Sequence, residues 1–112
     1  MRQENINIIP LQAAATITSA PIKALNLFAA SAQITCVGGG SGTLVMNASN
    51  DDPQSAPFLP VNFSAIPNAA VTVTGDGSFL IPKIDLCYQW VQLVYTNTGA
   101  GTISVVFKAL GE

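Results

Sequence analysis

The residues best suited to chemistry in this chain are its carboxylates and cysteines, because the sequence contains no histidine. Without an imidazole, a Ser-His-Asp or Cys-His arrangement is excluded. Paired carboxylates could act as general acid and base, and Asp51 and Asp52 stand side by side. However, Asp51, Asp52 and Asp76 adjoin Asn, Pro or Gly, where aspartate usually hydrogen-bonds its own backbone in a turn. We therefore predict no catalytic residues and expect the protein not to be an enzyme.

Metal and cofactor sites are also not predicted. The run Asn50-Asp51-Asp52 offers oxygen ligands, but a calcium site needs several more in convergent geometry, and no loop has that spacing. Two cysteines, Cys36 and Cys87, cannot complete a zinc site without histidines. We interpret them as buried free thiols, with a disulfide as the alternative if their strands adjoin. The segment "GGGSG", 38–42, lacks the Lys-Ser/Thr of a phosphate-binding loop and is interpreted as a turn.

The composition favours association with other proteins. The chain has 112 residues, enough for one domain, and only 9% of them are charged, against about 25% in an ordinary domain. A folded chain of this mass should expose roughly 5,800 Å², over which so few charges are sparse. We infer that neighbouring subunits cover much of the outside, although a surface rich in Thr, Ser and Asn could also remain soluble. Four Lys and Arg residues form no basic stripe, so no nucleic-acid partner is expected.

The chain shows no predicted membrane segment. No run approaches the ~18 apolar residues that a spanning helix needs. The first residues are not followed by an apolar region of signal-peptide length. We therefore expect a protein that is made in the cytoplasm and does not enter a membrane.

Alternating apolar and polar residues predict an all-β fold. In "WVQLVYT", 90–96, and "TISVVFKAL", 102–110, every second residue is apolar, which is the period of a half-buried strand. Turn signals recur every 8–12 residues or so, which predicts an antiparallel β-sandwich or jelly-roll-like fold of seven to nine strands. Glycine-rich turns at 38–42 and 97–101 are interpreted as hairpins, and "FLPVNFS", 58–64, as a strand. For residues 24–32, an uncapped helix is the weaker alternative to a strand.

Two regions are predicted within this architecture. Residues 22–112 are expected to form a single sandwich domain, with Pro82 marking an edge strand or a strand end. Residues 1–21 are expected to form a first strand or an extended arm that reaches a neighbour. Residues 50–57 are interpreted as an exposed hairpin tip, a place where sandwiches often carry recognition.

Five residues are candidates for contact with a ligand or a partner: Asn50, Asp51, Asp52, Tyr88 and Trp90. The first three belong to the tip. Tyr88 and Trp90 are large amphipathic aromatics close together, and such rings can stack on sugars. A tryptophan on a strand more often belongs to the core or to a subunit contact.

The order of several short motifs resembles a group of small β-sandwich proteins from tailed-phage and related viral genomes. The matching elements are "GTL" with "ASND", "VTGDGSFL", and "YQWVQLVYTNTGAGTI", which together extend from about Gly42 to Phe107. This chain differs in carrying Asp52-Pro53 and a longer proline-rich loop. The resemblance implies a virion structural protein, such as a capsid decoration, spike, fibre or tail-associated subunit, and it implies no catalytic residues.

The first hypothesis is therefore a phage virion protein that is made in the host cytoplasm and acts by assembly. Its expected partners are copies of itself and other capsid or tail proteins. The alternative is a glycan-binding module for host attachment, in which Tyr88, Trp90 and the 50–57 tip would contact a host glycan.

Overall fold

The structure, a computed structural model, describes residues 2–13, 16–24, 26–51, 60–99 and 101–111, with the backbone alone for 2–13. These residues form two antiparallel sheets, so the predicted antiparallel β-sandwich is confirmed. In this part of the chain no helix is long and apolar enough to cross a membrane. The strands are β1 (Arg2–Ala13), β2 (Ile17–Thr18), β3 (Ile22–Lys23), β4 (Leu27–Val37), β5 (Gly42–Ser49), β6 (Ser64–Val73), β7 (Gly77–Asp85), β8 (Trp90–Asn97) and β9 (Thr102–Gly111).

Each sheet has four strand positions. Sheet A has the order β1-β9-β4-β7, and sheet B has the order β2-β8-β5-β6. The short strand β3 also pairs with β8, so β2 and β3 are two pieces of one interrupted edge strand. Strand β1 thus forms one edge of sheet A, and β2 with β3 forms one edge of sheet B. Residues 2–13 run along β9 of the same chain.

The core lies between the sheets and follows from the period-2 pattern of the central strands. Buried residues alternate along β5, β8 and β9, as the sequence predicts. The largest fully buried side chains are Tyr95, Phe107, Ile34, Leu44, Met46, Ile81, Leu93 and Ile103. Strand β4 has two register shifts, one on each side of Ala29–Ala30.

The predicted hairpins at 38–42 and 97–101 are wrong. β4 and β9 belong to sheet A, whereas β5 and β8 belong to sheet B, so both turns cross from one sheet to the other. The strands that do pair are distant in sequence, β4 with β9 and β5 with β8. A short glycine-rich turn can form a hairpin within one sheet or a crossing between two sheets. Here the pairing of strands distant in sequence requires the crossing. Among the described strands, β5 and β6 are the one consecutive pair that is hydrogen-bonded, and the described residues 50, 51 and 60–63 between them belong to neither strand.

The predicted strand over 58–64 is also wrong in its described part. Residues 60–63 lie in the loop, and β6 begins at Ser64. Residues 58 and 59 lie outside the described residues. The Asp51 carboxylate accepts hydrogen bonds from the backbone N–H groups of Val61 and Asn62. These bonds take the place of the ladder that a strand would have made there.

The two glycine-rich turns pack against each other at one end of the sandwich. Thr98 N donates to Ser41 O at 2.8 Å, and the hydroxyls of the same residues lie 2.8 Å apart. Asp76 joins the third turn at this end, because its Oδ1 accepts from Gly39 N at 2.6 Å. The sequence predicts that Asp76 hydrogen-bonds its own turn backbone, but the bond that the structure shows goes to Gly39 in another turn.

Gly101 combines a left-handed backbone with a lack of room for a side chain. Its φ is +101°, and an added Cβ would lie 2.5 Å from Val37 O. Gly39 has a similar φ of +83°, but an added Cβ there would meet nothing within 4 Å. Alanine substitutions at Gly101 and Gly39 can therefore be compared to distinguish the cost of steric overlap from the cost of a left-handed backbone.

We expect Gly101→Ala to lower the free energy of unfolding by about 3 kcal/mol, and Gly39→Ala by about 1–2 kcal/mol, the ordinary cost of an L-residue at positive φ. Urea denaturation of both variants measures the difference. Equal losses in the two variants would contradict the close approach of the turns.

Candidate functional site

The end of the sandwich opposite the glycine-rich turns brings together the loops around residues 50–63 and 86–89. Asn50 Oδ1 accepts from Gln89 N at 3.1 Å, which ties the two loops directly. Leu86 N donates to Phe28 O, and Ala24 N donates to Gln89 O, so the segment before β4 joins the same end. This group of loops, called the loop end below, contains four of the five predicted contact residues. Asp52 lies outside the described residues.

Asp51 acts as a clamp within the loop end. Its Oδ2 accepts from Val61 N at 2.8 Å and Asn62 N at 3.0 Å, and its Oδ1 accepts from Asn62 Nδ2 at 2.9 Å. These donors, the Asn62 side chain first, hold the pKa of the Asp51 carboxyl below its usual value of 3.8. Because the Asp51 carboxylate accepts three hydrogen bonds from Val61 and Asn62, it holds these residues in place and has a structural role.

Trp90 anchors the same loop from the outer face of sheet B. Its Nε1 donates to Asp51 O at 3.1 Å, and Lys23 Nζ lies 5.9 Å from the ring centroid, within reach of a cation–π attraction. The side chain is only 7% exposed. Trp90 therefore joins the 50–63 loop to strand β3, and its ring is not an open platform for a sugar.

Tyr88 is half-buried and lies between two shallow cavities. The first, of about 240 Å³, is lined by Ala48, Ser49, Asn50, Asn62, Ser64, Ala65, Ile66 and Tyr88. The second, of about 220 Å³, is lined by Leu27, Asn50, Leu86, Cys87, Tyr88 and Gln89. Both share Asn50 and Tyr88, and their polar groups are uncharged amides and hydroxyls. Such groups can hydrogen-bond hydroxyl or amide groups of a ligand.

The described residues contain no cluster of three or more His, Cys, Asp or Glu side chains that could hold a metal ion. The sequence singled out Asn50, Asp51, Tyr88 and Trp90, and the structure places them together. It missed Asn62, Ser64 and Gln89, which line the same cavities. Asn62 and Ser64 flank the far side of the loop that Asp51 begins, so only the pairing of β5 with β6 could have indicated them.

The cysteine prediction is half right. Both thiols are free, but Cys36 is buried in β4 whereas Cys87 is exposed at the loop end. The strand-like context assigned to Cys87 is wrong, because residues 86–89 form a loop between β7 and β8.

Comparison with known proteins gives a likeness of fold. No family model and no curated protein matches the chain. Among solved structures, the SPBc2 prophage-derived protein YomS has a TM-score of 0.62 at 8% identity, covering 96% of this chain and 92% of that one. PirA gives 0.53 at 14% identity, over 96% and 93%. A protein of the disulfide-linked pili of Bacillus endospore appendages gives 0.50 at 15% identity, over 99% and 88%. At these identities the likeness defines the class, an antiparallel β-sandwich, and nothing finer.

Acid should weaken the loop end through Asp51. Because its pKa is lower in the folded chain than in the unfolded chain, the stabilisation is present above the unfolded value and is lost as the pH falls through the folded value. We expect Asp51→Asn to unfold at lower urea than the wild type at neutral pH, and the two midpoints to converge as the pH falls below 3.8. Asp85→Asn removes an equal charge from exposed β7 and is the control. A gap that persists unchanged in acid would contradict the clamp.

The two thiols should react at very different rates. In the native protein, an aromatic disulfide reagent should modify Cys87 rapidly and Cys36 only after unfolding, because Cys36 is almost entirely buried. The absorbance of the released thiolate measures both steps. Cys87→Ser should abolish the rapid step, and rapid modification of that variant would show that Cys36 is accessible.

Proposed function

We propose that the chain is a structural subunit of a phage virion, in a capsid-decoration, spike, fibre or tail-associated position, and that it acts by docking to copies of itself and to other virion subunits. The proposal rests on one observation. The exposed large apolar side chains of the described residues are Phe28, Val37, Leu80, Val106 and Val61, and all but Val61 lie on the outer face of sheet A.

The outer face of sheet A carries these four apolar residues. Leu80, Gln33 and Val106 occupy adjacent positions across β7, β4 and β9, and Leu80 is 62% exposed. Val37 and Phe28 lie near the two ends of β4, and polar rows at Thr35 and Ser31 separate them from Leu80 and Val106. We interpret this mixture of exposed apolar and polar side chains as a surface that contacts another protein.

The low charge of the whole surface supports the same proposal. The chain exposes 6030 Å². With its ten charged residues, this leaves one charged side chain per about 600 Å², far fewer than a soluble monomer normally carries. The strand order of the two four-position sheets supports the jelly-roll form of the sandwich, which occurs in viral capsid and lectin domains. That supports the proposal by analogy of fold, because one fold hosts many functions.

Glycan binding at the loop end is the second candidate. The two uncharged cavities beside Tyr88 favour it, and the buried ring of Trp90 counts against it. A glycan array separates the two proposals, since a chain that stays monomeric and retains specific glycans supports attachment over assembly.

The docking face is tested by Leu80→Asn with Val106→Thr, changes that leave the core intact because both residues are exposed. We expect the wild type to self-associate as its concentration rises and to bind to virion particles. The double variant should do neither. Sedimentation velocity and co-sedimentation with particles measure this.

Val61→Asn is the matched control, because Val61 is 79% exposed but belongs to the 50–63 loop and not to sheet A. It should associate like the wild type. A wild type that remains monomeric at every concentration and is not retained by particles would contradict the proposed function.

A further inference from the structure

The outer face of sheet A contains a groove of about 200 Å³ that holds two of the chain's four basic residues. Its lining consists of Ala29, Ala30 and Ser31 from β4, Lys83 from β7, and Lys108 and Leu110 from β9. Among the side chains that the structure describes, no acidic one belongs to the lining. The net charge of the chain is −2, so this concentration of positive charge runs against the overall balance.

The strand register explains how the two lysines meet. Ser31 on β4 is the direct partner of Lys108 on β9. On the other side of β4, Ala32 pairs with Ile81 and Ala30 with Ile84, so that Pro82 and Lys83 together oppose Ser31 in a β-bulge. Bulges redirect side chains, and here the bulge places Lys83 beside the same small residue as Lys108.

The floor of the groove is low because its residues are small. Ala29 is buried and Ser31 is half-buried, although both lie on the outer side of β4, next to Leu110 and Lys108. Two ammonium groups beside such a depression repel each other unless an anion lies between them. The volume suits a carboxylate-sized group and is below the 300 Å³ or so of a site for a larger small molecule.

We propose that this groove binds the carboxylate of an acidic side chain presented by a neighbouring protein subunit. The choice of a protein partner rests on the proposed function, because exposed Phe28, Leu80 and Val106 share the face with the groove. Two cations are too few to follow a nucleic-acid backbone, whose binding depends on many phosphate contacts. The mixture of apolar and cationic groups is the complement of an amphipathic acidic surface.

Within the described part of the chain, Asp85 is an acidic residue that competes for the lysines. It is exposed, lies on β7 two residues after Lys83, and pairs with Ala29 at the end of the groove without lining it. Its carboxylate therefore lowers the local positive potential and should disfavour an incoming carboxylate. Asp85→Asn is expected to strengthen binding, which a purely apolar contact would not show.

The site can be tested on the isolated chain by NMR titration with a short capped peptide containing glutamate, with the glutamine version of that peptide, and with inorganic phosphate. All are compared at constant ionic strength. We expect the glutamate peptide to shift the amide resonances of residues 29–31, 83–84 and 108–110. The double variant Lys83→Gln with Lys108→Gln should weaken this binding about five- to tenfold, the factor that two surface ion pairs supply.

Lys23→Gln is the matched control, because it removes the same charge from sheet B, where Lys23 lies over Trp90. It should leave the shifts unchanged. Equal shifts with the glutamine peptide, or undiminished shifts in the double lysine variant, would overturn the proposal. Stronger binding of phosphate than of the glutamate peptide would overturn the assignment to a protein carboxylate.

A measurement of self-association distinguishes this inference from the proposed function. If the wild type associates and the double lysine variant associates with the same affinity and salt dependence, the groove proposal is wrong and the docking proposal stands. If the wild type never associates but the peptide result is positive, the proposed function fails and the carboxylate site remains.

Discussion

The fold depends on a single apolar layer shared by two sheets whose strands are joined mainly across that layer. Most connections between the described strands pass from one sheet to the other, and the ladders pair β4 with β9 and β5 with β8. Each sheet therefore forms only when distant segments meet. Burial of side chains such as Tyr95, Phe107 and Ile34 drives this, because every central strand contributes alternate residues to the same interior.

The edges of both sheets are poorly suited to strand addition by another chain. Three edge strands contain a proline, Pro10 in β1, Pro67 in β6 and Pro82 in β7, and Pro21 lies between β2 and β3. The first three also lie within register shifts of their ladders. Proline removes a donor and a bulge twists the edge away, so each edge is a poor template for another chain. The central strands contain no proline.

Sequence periodicity was sufficient for the central strands β5, β8 and β9 and their buried faces, and it was insufficient for the segment before β6 and for the connections between strands. The alternation in β5, β8 and β9 specifies which residues point inward whichever strand lies alongside. The turns at 38–42 and 97–101 have glycines that fit a hairpin or a crossing, and only the ladders between distant strands separate the two. The same limit applies to the loop end. Asp51 could be recognised as a turn residue, but its partners Val61 and Asn62 approach it only because β6 returns along β5.

The two surfaces of interest differ in how far their polar groups are already satisfied. At the loop end, Asp51 accepts three hydrogen bonds, and the indole of Trp90 is covered by Lys23 and bonded to Asp51 O. On sheet A, by contrast, Lys83 and Lys108 line a groove to which the described residues contribute no acidic side chain, and Leu80 and Val106 are exposed. Exposed apolar area and a local concentration of positive charge are two features that an acidic, partly apolar partner can complement on binding. The physical case for a contact is therefore stronger on the face of sheet A than at the loop end.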